Sequence, residues 1–167
     1  MSTALELRGA LLEAYGILGP LTPLEGADCG ELCGARCCQG DDTRGMLLFP
    51  GEEALLAGCG FFRLSPEEPE LLLCSGTCPR HRRPLACRIF PFTPVLREGR
   101  VVITPDCRAR PLCPLLREDA RPYLSDKFLQ ALQTAFDQLD ELEEFHRHLL
   151  RLTRIQDDYA RFLGSTD

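Results

Sequence analysis

A chain of 167 residues, 44% hydrophobic and 26% charged, is long enough for one domain with a buried core and too apolar for wholesale disorder. Its formal net charge of -6 argues against a general nucleic-acid binder, although a local basic patch is compatible with it. No apolar run approaches the roughly 18 residues that span a bilayer, and Glu6, Arg8 and Glu13 interrupt the N-terminal stretch that a signal peptide would keep apolar, so the expected location is the cytoplasm.

Residues 3–18 predict an amphipathic helix. Thr3 with Glu6 makes a capping box, Leu7, Leu11, Ala14 and Leu18 share one stripe, and Gly16, Gly19 and Pro20 end it. Residues 22–45 are rich in Gly, Pro and Cys without periodicity, which predicts a loop folded around its ligands, with amides free to point at sulfur. Met46-Leu47-Leu48-Phe49 predicts a short strand. Pro50-Gly51-Glu52-Glu53 opens a short helix ending near Gly58, its acidic residues placed where the helix dipole favours them. Phe61-Phe62-Arg63-Leu64 and Leu71-Leu72-Leu73-Cys74 predict two strands about a turn at Ser65-Pro66-Glu67-Glu68-Pro69. A second hairpin is expected from 93–96 and 101–104 about Glu98-Gly99, with Pro94 marking an edge strand.

After Pro122 no Gly or Pro occurs until Gly164, and apolar residues recur every three or four positions from Leu132 to Phe162. One helix over this span would be about 58 Å long at 1.5 Å per residue, which overshoots a small domain. Two helices with a break near 137–141 are therefore expected, with Ser125 capping the first and Asp140 with Glu143 offering a second capping box. The apolar stripe is expected to face the core, with a partner helix as the alternative.

The ten cysteines carry the chemistry. In a reducing compartment clustered cysteines bind metal more often than they form disulfides. Cys29 and Cys33, Cys33 and Cys37, and Cys74 and Cys78 are each separated by three residues, a spacing that lets a short loop place two soft sulfurs on one ion. Adjacent side chains diverge, so Cys37 and Cys38 suit different ions or a bridged cluster. Cys87 lies in Arg83-Pro84-Leu85-Ala86-Cys87-Arg88-Ile89-Phe90-Pro91-Phe92, where two prolines stiffen the backbone around it. The candidate metal ligands are Cys29, Cys33, Cys37, Cys38, Cys74, Cys78, Cys87, Cys107 and Cys113, and the candidate cofactors are Zn2+ or iron, the latter also as an iron–sulfur cluster. Cys59, in Gly58-Cys59-Gly60-Phe61-Phe62, reads as a small buried hydrophobe. His81 reads as a surface residue, and His146 and His148, two apart on a helix, fall on different faces.

Between 80 and 110 stand Arg80, Arg82, Arg83, Arg88, Arg97, Arg100, Arg108 and Arg110 against only Glu98 and Asp106. Arginines near a thiolate site offset its negative charge and donate to sulfur. The other readings are a solvated basic face and a docking patch for phosphate or RNA. No nucleophile–base, phosphate-loop or dinucleotide motif is present, and no catalytic residue is assigned.

The series Cys29-x3-Cys33-x3-Cys37-Cys38, followed by Cys78 and by Arg83-Pro84-x2-Cys87-Arg88-x-Phe90-Pro91, resembles the YkgJ-type cysteine-cluster family. The resemblance covers about 28–114 and leaves the terminal helices outside. Members of that family are described as zinc- or iron-chelating proteins and are named for a C-x2-C-x2-C-C pattern, whereas each gap of the first cluster here holds three residues. A similar cysteine arrangement occurs in flagellin lysine-N-methylases. By position the resemblance implies that Cys29, Cys33, Cys37, Cys38, Cys78 and Cys87 are ligands, and it implies metal binding without naming a substrate.

The expectation is thus an α+β, loop-rich, metal-stapled unit: a cysteine-cluster domain with an N-terminal helix over 1–122 and a helical segment over 123–164 packed on it. Its expected partners are metal ions, with no membrane and no nucleic acid. A protein partner would dock through the C-terminal helices or the basic region 80–110. The alternatives are an iron–sulfur enzyme or maturation factor related to methyltransferases, and an interaction module docking through its arginine face.

Overall fold

A computed structural model describes residues 3–40, 45–68, 70–74, 76 and 78–164. Helix α1 (Ala4–Leu18) begins as the sequence predicts: the Thr3 hydroxyl accepts from the Glu6 amide, and the Glu6 carboxylate accepts from the Thr3 amide at 2.6 Å. Its buried face is Leu11, Ala14 and Leu18. Near the other end of the chain, helix α5 (Asp126–Asp140) is capped by the Ser125 hydroxyl, and helix α6 (Glu143–Gly164) follows after a break at Glu141 and Leu142, at the edge of the expected window.

Between these lie two antiparallel sheets. Strands β1 (Gly45–Leu47), β2 (Phe62–Leu64) and β3 (Leu71–Cys74) form the first, in the order β1-β3-β2. Strands β4 (Phe92–Arg97) and β5 (Arg100–Pro105) form the second, with Arg97 opposite Arg100 across the Glu98-Gly99 turn. In a two-stranded sheet each strand is an edge, which accommodates Pro94. The fold is α+β.

The main core is built where α1 packs on α5, α5 on β5 and α6 on β4. Phe49, just past β1, is set between the two C-terminal helices, its ring centroid 5.2 Å from that of Phe136 and 6.2 Å from that of Phe145. Burying each of these side chains is worth about 1.5–3 kcal/mol. Because α1, the hairpin, α5 and α6 all contribute to this one cluster, the segment 123–164 shares its core with the preceding residues. A smaller cluster of Leu48, Leu56 and Leu72, with Phe62 against it, underlies the first sheet.

Two features depart from the sequence expectations, and one element lies where no secondary structure is expected or excluded. Residues 22–45 are not all loop, for they include helix α2 (Gly30–Cys33) and a 3-10 turn at Arg36–Cys38. The stretch around Cys87 is helix α4 (Leu85–Ile89), with Pro84 in extended conformation at its N-cap. Both helices are shorter than the window over which helical periodicity is legible. Finally, the apolar stripe of α6 is buried only through Leu152. Gln156, 4% exposed, takes the next inward position, while Tyr159 and Phe162 are 46% and 68% exposed. The Gln156 side-chain carbonyl accepts from the Cys107 amide at 2.9 Å and its amide donates to Asp106 at 3.1 Å, which satisfies its polar atoms inside. Positions 41–44 of the expected ligand loop, and Pro69 of the expected turn, lie outside the described residues. Helix α3 (Glu52–Leu56) lies within the span predicted for it.

His148 gives this core a pH dependence. Its ring lies 5.1 Å from that of Phe49. Burial pushes its pKa down to about 4, with the Arg151 charge adding to the depression and Glu70 opposing it. A depressed histidine leaves the fold at full strength above the unfolded value of about 6.5 and weakens it as pH falls from there toward 4. Between pH 7 and pH 5 this single group is expected to remove ~1–2 kcal/mol, after allowance for its partial exposure. Urea unfolding of the wild type and of His148→Phe at both pH values tests this. The variant should lose less stability on acidification, and equal losses would exclude His148 as the source.

Candidate metal centre

Five segments bring cysteines together. Cys29 precedes α2 and Cys33 ends it, and the Asp28 carboxylate accepts from the Gly30 amide at 2.9 Å to start that turn. Cys37 and Cys38 follow in the 3-10 turn. Cys74 ends β3, its sulfur accepting from the Gly76 amide at 3.3 Å. Cys78 follows closely, Cys87 sits in α4, and Cys113 precedes a turn at Pro114–Leu116, its amide bonded to the Ala109 carbonyl at 2.8 Å. All ten cysteines of the chain are free thiols.

Two glycines let the segments touch. A Cβ on Gly40 would overlap the Cys74 carbonyl, and one on Gly76, whose φ is +91°, would lie 2.9 Å from the Cys38 carbonyl. The turn carrying Cys37 and Cys38 is therefore pressed against the strand end carrying Cys74. Helix α4 is placed from elsewhere: the fully buried Glu52 carboxylate accepts from the Leu85 amide at 2.8 Å, two residues before Cys87.

Two adjoining cavities result. The first, with about 40 Å³ of free room, is lined by Cys29, Cys33, Cys37, Cys38, Cys87 and Cys113. The second, about 100 Å³, is lined by Cys37, Cys38, Cys74, Cys78 and Cys87. Cys37, Cys38, Cys87, Met46 and Arg83 belong to both walls. About 10–15 Å³ holds one water, so each cavity has room for an ion or a cluster of a few atoms.

Burial raises the Cys29, Cys78 and Cys113 thiols above the ordinary range. Cys87 is pushed furthest among these four, by burial first and then by the charges of Cys38 and Cys78. In the adjacent pair, Cys37 is raised by the hydrogen bond it shares with Cys38 and by burial. Cys38 is lowered because it accepts that bond, burial opposing and Arg83 assisting. Crowded thiols resist losing their protons together, and a bound cation is what allows several thiolates to coexist.

Arg83 is the cation on this wall. It shares a hydrogen bond with Cys78 and lies close to Cys38 and Asp28. Its Nε is buried with no hydrogen-bond partner among the described residues. Such an orphaned donor beside soft acceptors fits a thiolate or sulfide as its complement. Arg88, expected to share that role, instead spans the carbonyls of Arg83 and His81 and lies 4.6 Å above the Tyr15 ring. Arg97 and Arg108 are paired with Asp157 and Asp106, so the arginines of 80–110 do not form one uniform face.

Of the nine candidate ligands, eight line the two cavities. Cys107 is not brought to them: it lies against α6, its amide and thiol both donating to Gln156. Cys59 also lines neither cavity. Among the described residues, no three histidine, cysteine, aspartate or glutamate side chains are already gathered as ligands of one ion, so capture of a metal requires the sulfurs to draw inward. Glu52, Tyr15 and Gln156, which hold the surrounding backbone, carry no ligand signal in the sequence. Among the described residues no helix is long and apolar enough to cross a membrane.

Compared with protein-family models, with curated proteins and with solved structures, the chain matches none. The resemblance to the YkgJ-type family therefore rests on the cysteine motif alone.

Proposed function

We propose that this chain is a metal-binding protein that holds zinc or iron, the iron as ions or as an iron–sulfur cluster, through thiolates gathered around Cys37, Cys38 and Cys87. The observation that carries this reading is the convergence of eight cysteines from five separate segments on two adjoining cavities, with a buried arginine donor in their common wall that has no partner among the described residues. Soft thiolate donors in that number favour zinc or iron–sulfur chemistry over hard cations. The motif resemblance to the YkgJ-type family points the same way. The reading places the protein in a reducing compartment such as the cytoplasm, where free thiols persist. When bound, the metal would join segments that have little apolar surface of their own.

The test is metal analysis of untagged protein purified without oxygen. Stoichiometric zinc in a colourless sample, or iron with visible thiolate-to-iron absorption, is the expected result. Metal-free protein whose cysteines are paired as disulfides by mass spectrometry would overturn the proposal.

A further inference from the structure

The eight cysteines divide unevenly between the cavities, and the division contains more than one centre's worth of ligands. Cys29, Cys33 and Cys113 line only the first cavity, Cys74 and Cys78 only the second, and Cys37, Cys38 and Cys87 stand in the shared wall. Cys37 donates a hydrogen bond to its chain neighbour Cys38, and beyond that neighbour the cysteines beside it are Cys29 and Cys33. Those beside Cys87 are Cys38, Cys78 and Cys74, and those beside Cys78 are Cys74 and Cys38. Cys113 interacts with Cys33 and Cys29.

We infer that the chain holds two separate four-thiolate centres: one taken by Cys29, Cys33, Cys37 and Cys113, the other by Cys38, Cys74, Cys78 and Cys87. The inference rests on the metal-binding reading and goes beyond it in number of centres and ligand assignment. Four sulfurs is the complement that a closed zinc site or an iron–sulfur cluster takes. The assignment leaves no cavity cysteine over and uses neither Cys107 nor Cys59, the two that lie elsewhere. It also makes Cys37-Cys38 the junction, one residue serving each side. Both centres would carry net negative charge, and Arg83, which lines both cavities, would stand between them.

The experiment compares metal content per chain in the wild type and in single cysteine-to-serine variants, with cadmium-113 NMR of cadmium-loaded protein as the site-resolved readout. The wild type should give two cadmium resonances. Cys29→Ser and Cys113→Ser should each lose the same resonance and about half of the bound metal. Cys74→Ser and Cys78→Ser should each lose the other. Cys37→Ser should behave like Cys29→Ser, Cys38→Ser like Cys78→Ser, and Cys107→Ser like the wild type. Two variants per centre, together with their helical circular dichroism, keep the comparison decisive if one fails to fold. A wild type with a single resonance, or any variant that keeps its helical circular dichroism yet loses both, overturns the two-centre assignment while leaving metal binding intact. A wild type that takes up no metal overturns both.

Discussion

If the chain holds metal as proposed, a chelator added under reducing conditions is expected to open the cysteine segments while the helical core stays folded. The main core draws on α1, α4, the β4–β5 hairpin, α5 and α6, with Phe128, Phe136 and Phe145 at 1% exposure or less. Residues 24–40 contribute nothing to it: α2 and the turn after it contain no buried residue. Binding free energies for structural zinc reach about 10–16 kcal/mol in small peptides, where metal binding and folding are one event. Here most of that energy would hold the peripheral loops, whose own stability against local opening is low. Tryptic cleavage after Arg36 and Arg80 should therefore accelerate at least tenfold on chelation, corresponding to about 1.4 kcal/mol or more of lost local stability, with far-ultraviolet circular dichroism nearly unchanged. Cys87 is the ligand that reaches the core, because α4 buries Leu85 and Ile89 in it. Cys87→Ala should consequently lower the global unfolding midpoint as well, whereas Cys33→Ala should act mainly on the loop. A chelated protein with an unchanged cleavage pattern would show that the loops stand without metal.

The parts of this architecture that the sequence makes legible are those whose signal is local or long. The Thr3–Glu6 box needs only four residues, and the repeat from Phe128 to Leu152 is long enough for its period to be unmistakable. Helix α4 is neither: its first amide is satisfied by Glu52, 33 residues earlier in the chain. The cysteines show the same divide. Their number and spacing carry the expectation of soft-metal ligands, yet spacing gives Cys107 and Cys113 equal weight. Tertiary contacts separate them, because Asp106 and Gln156 hold Cys107 to α6 while Cys113 returns to the wall beside Cys33. Arg83 and Arg88 are likewise alike on paper. Arg88, on α4, lies over the Tyr15 ring, whereas Arg83, ahead of that helix, shares a hydrogen bond with Cys78.

Glu52→Ala is expected to cost several kcal/mol and, if metal is held as proposed, to weaken its retention without removing any proposed ligand. In the sequence Glu52 looks like an ordinary first-turn acid. In the fold it is fully buried and accepts three hydrogen bonds: from the Tyr15 hydroxyl at 2.5 Å and the Leu85 amide at 2.8 Å on one oxygen, and from the Phe49 amide at 2.8 Å on the other. It thereby ties α1, the turn that sets Phe49 into the core, and the start of the Cys87 helix to one point. Burial raises its pKa, against the pull of these donors and of Arg88. Truncation strands three donors at about 1–3 kcal/mol each, a loss of about 3–9 kcal/mol from the roughly 5–15 kcal/mol that holds a typical domain together. Glu52→Gln keeps the volume but sets its amide against a donor on one side or the other, so it should rescue only part of the loss. Tyr15→Phe removes one partner and should cost about 1 kcal/mol. With the α4 amide released, Cys87 loses its anchor, and chelator-driven metal release from Glu52→Ala should be faster than from Tyr15→Phe. Denaturant midpoints rank the three variants and release rates report on the site. An alanine variant within about 1 kcal/mol of the wild type would mean that the three donors find other acceptors, and that α4 is held by its apolar face alone.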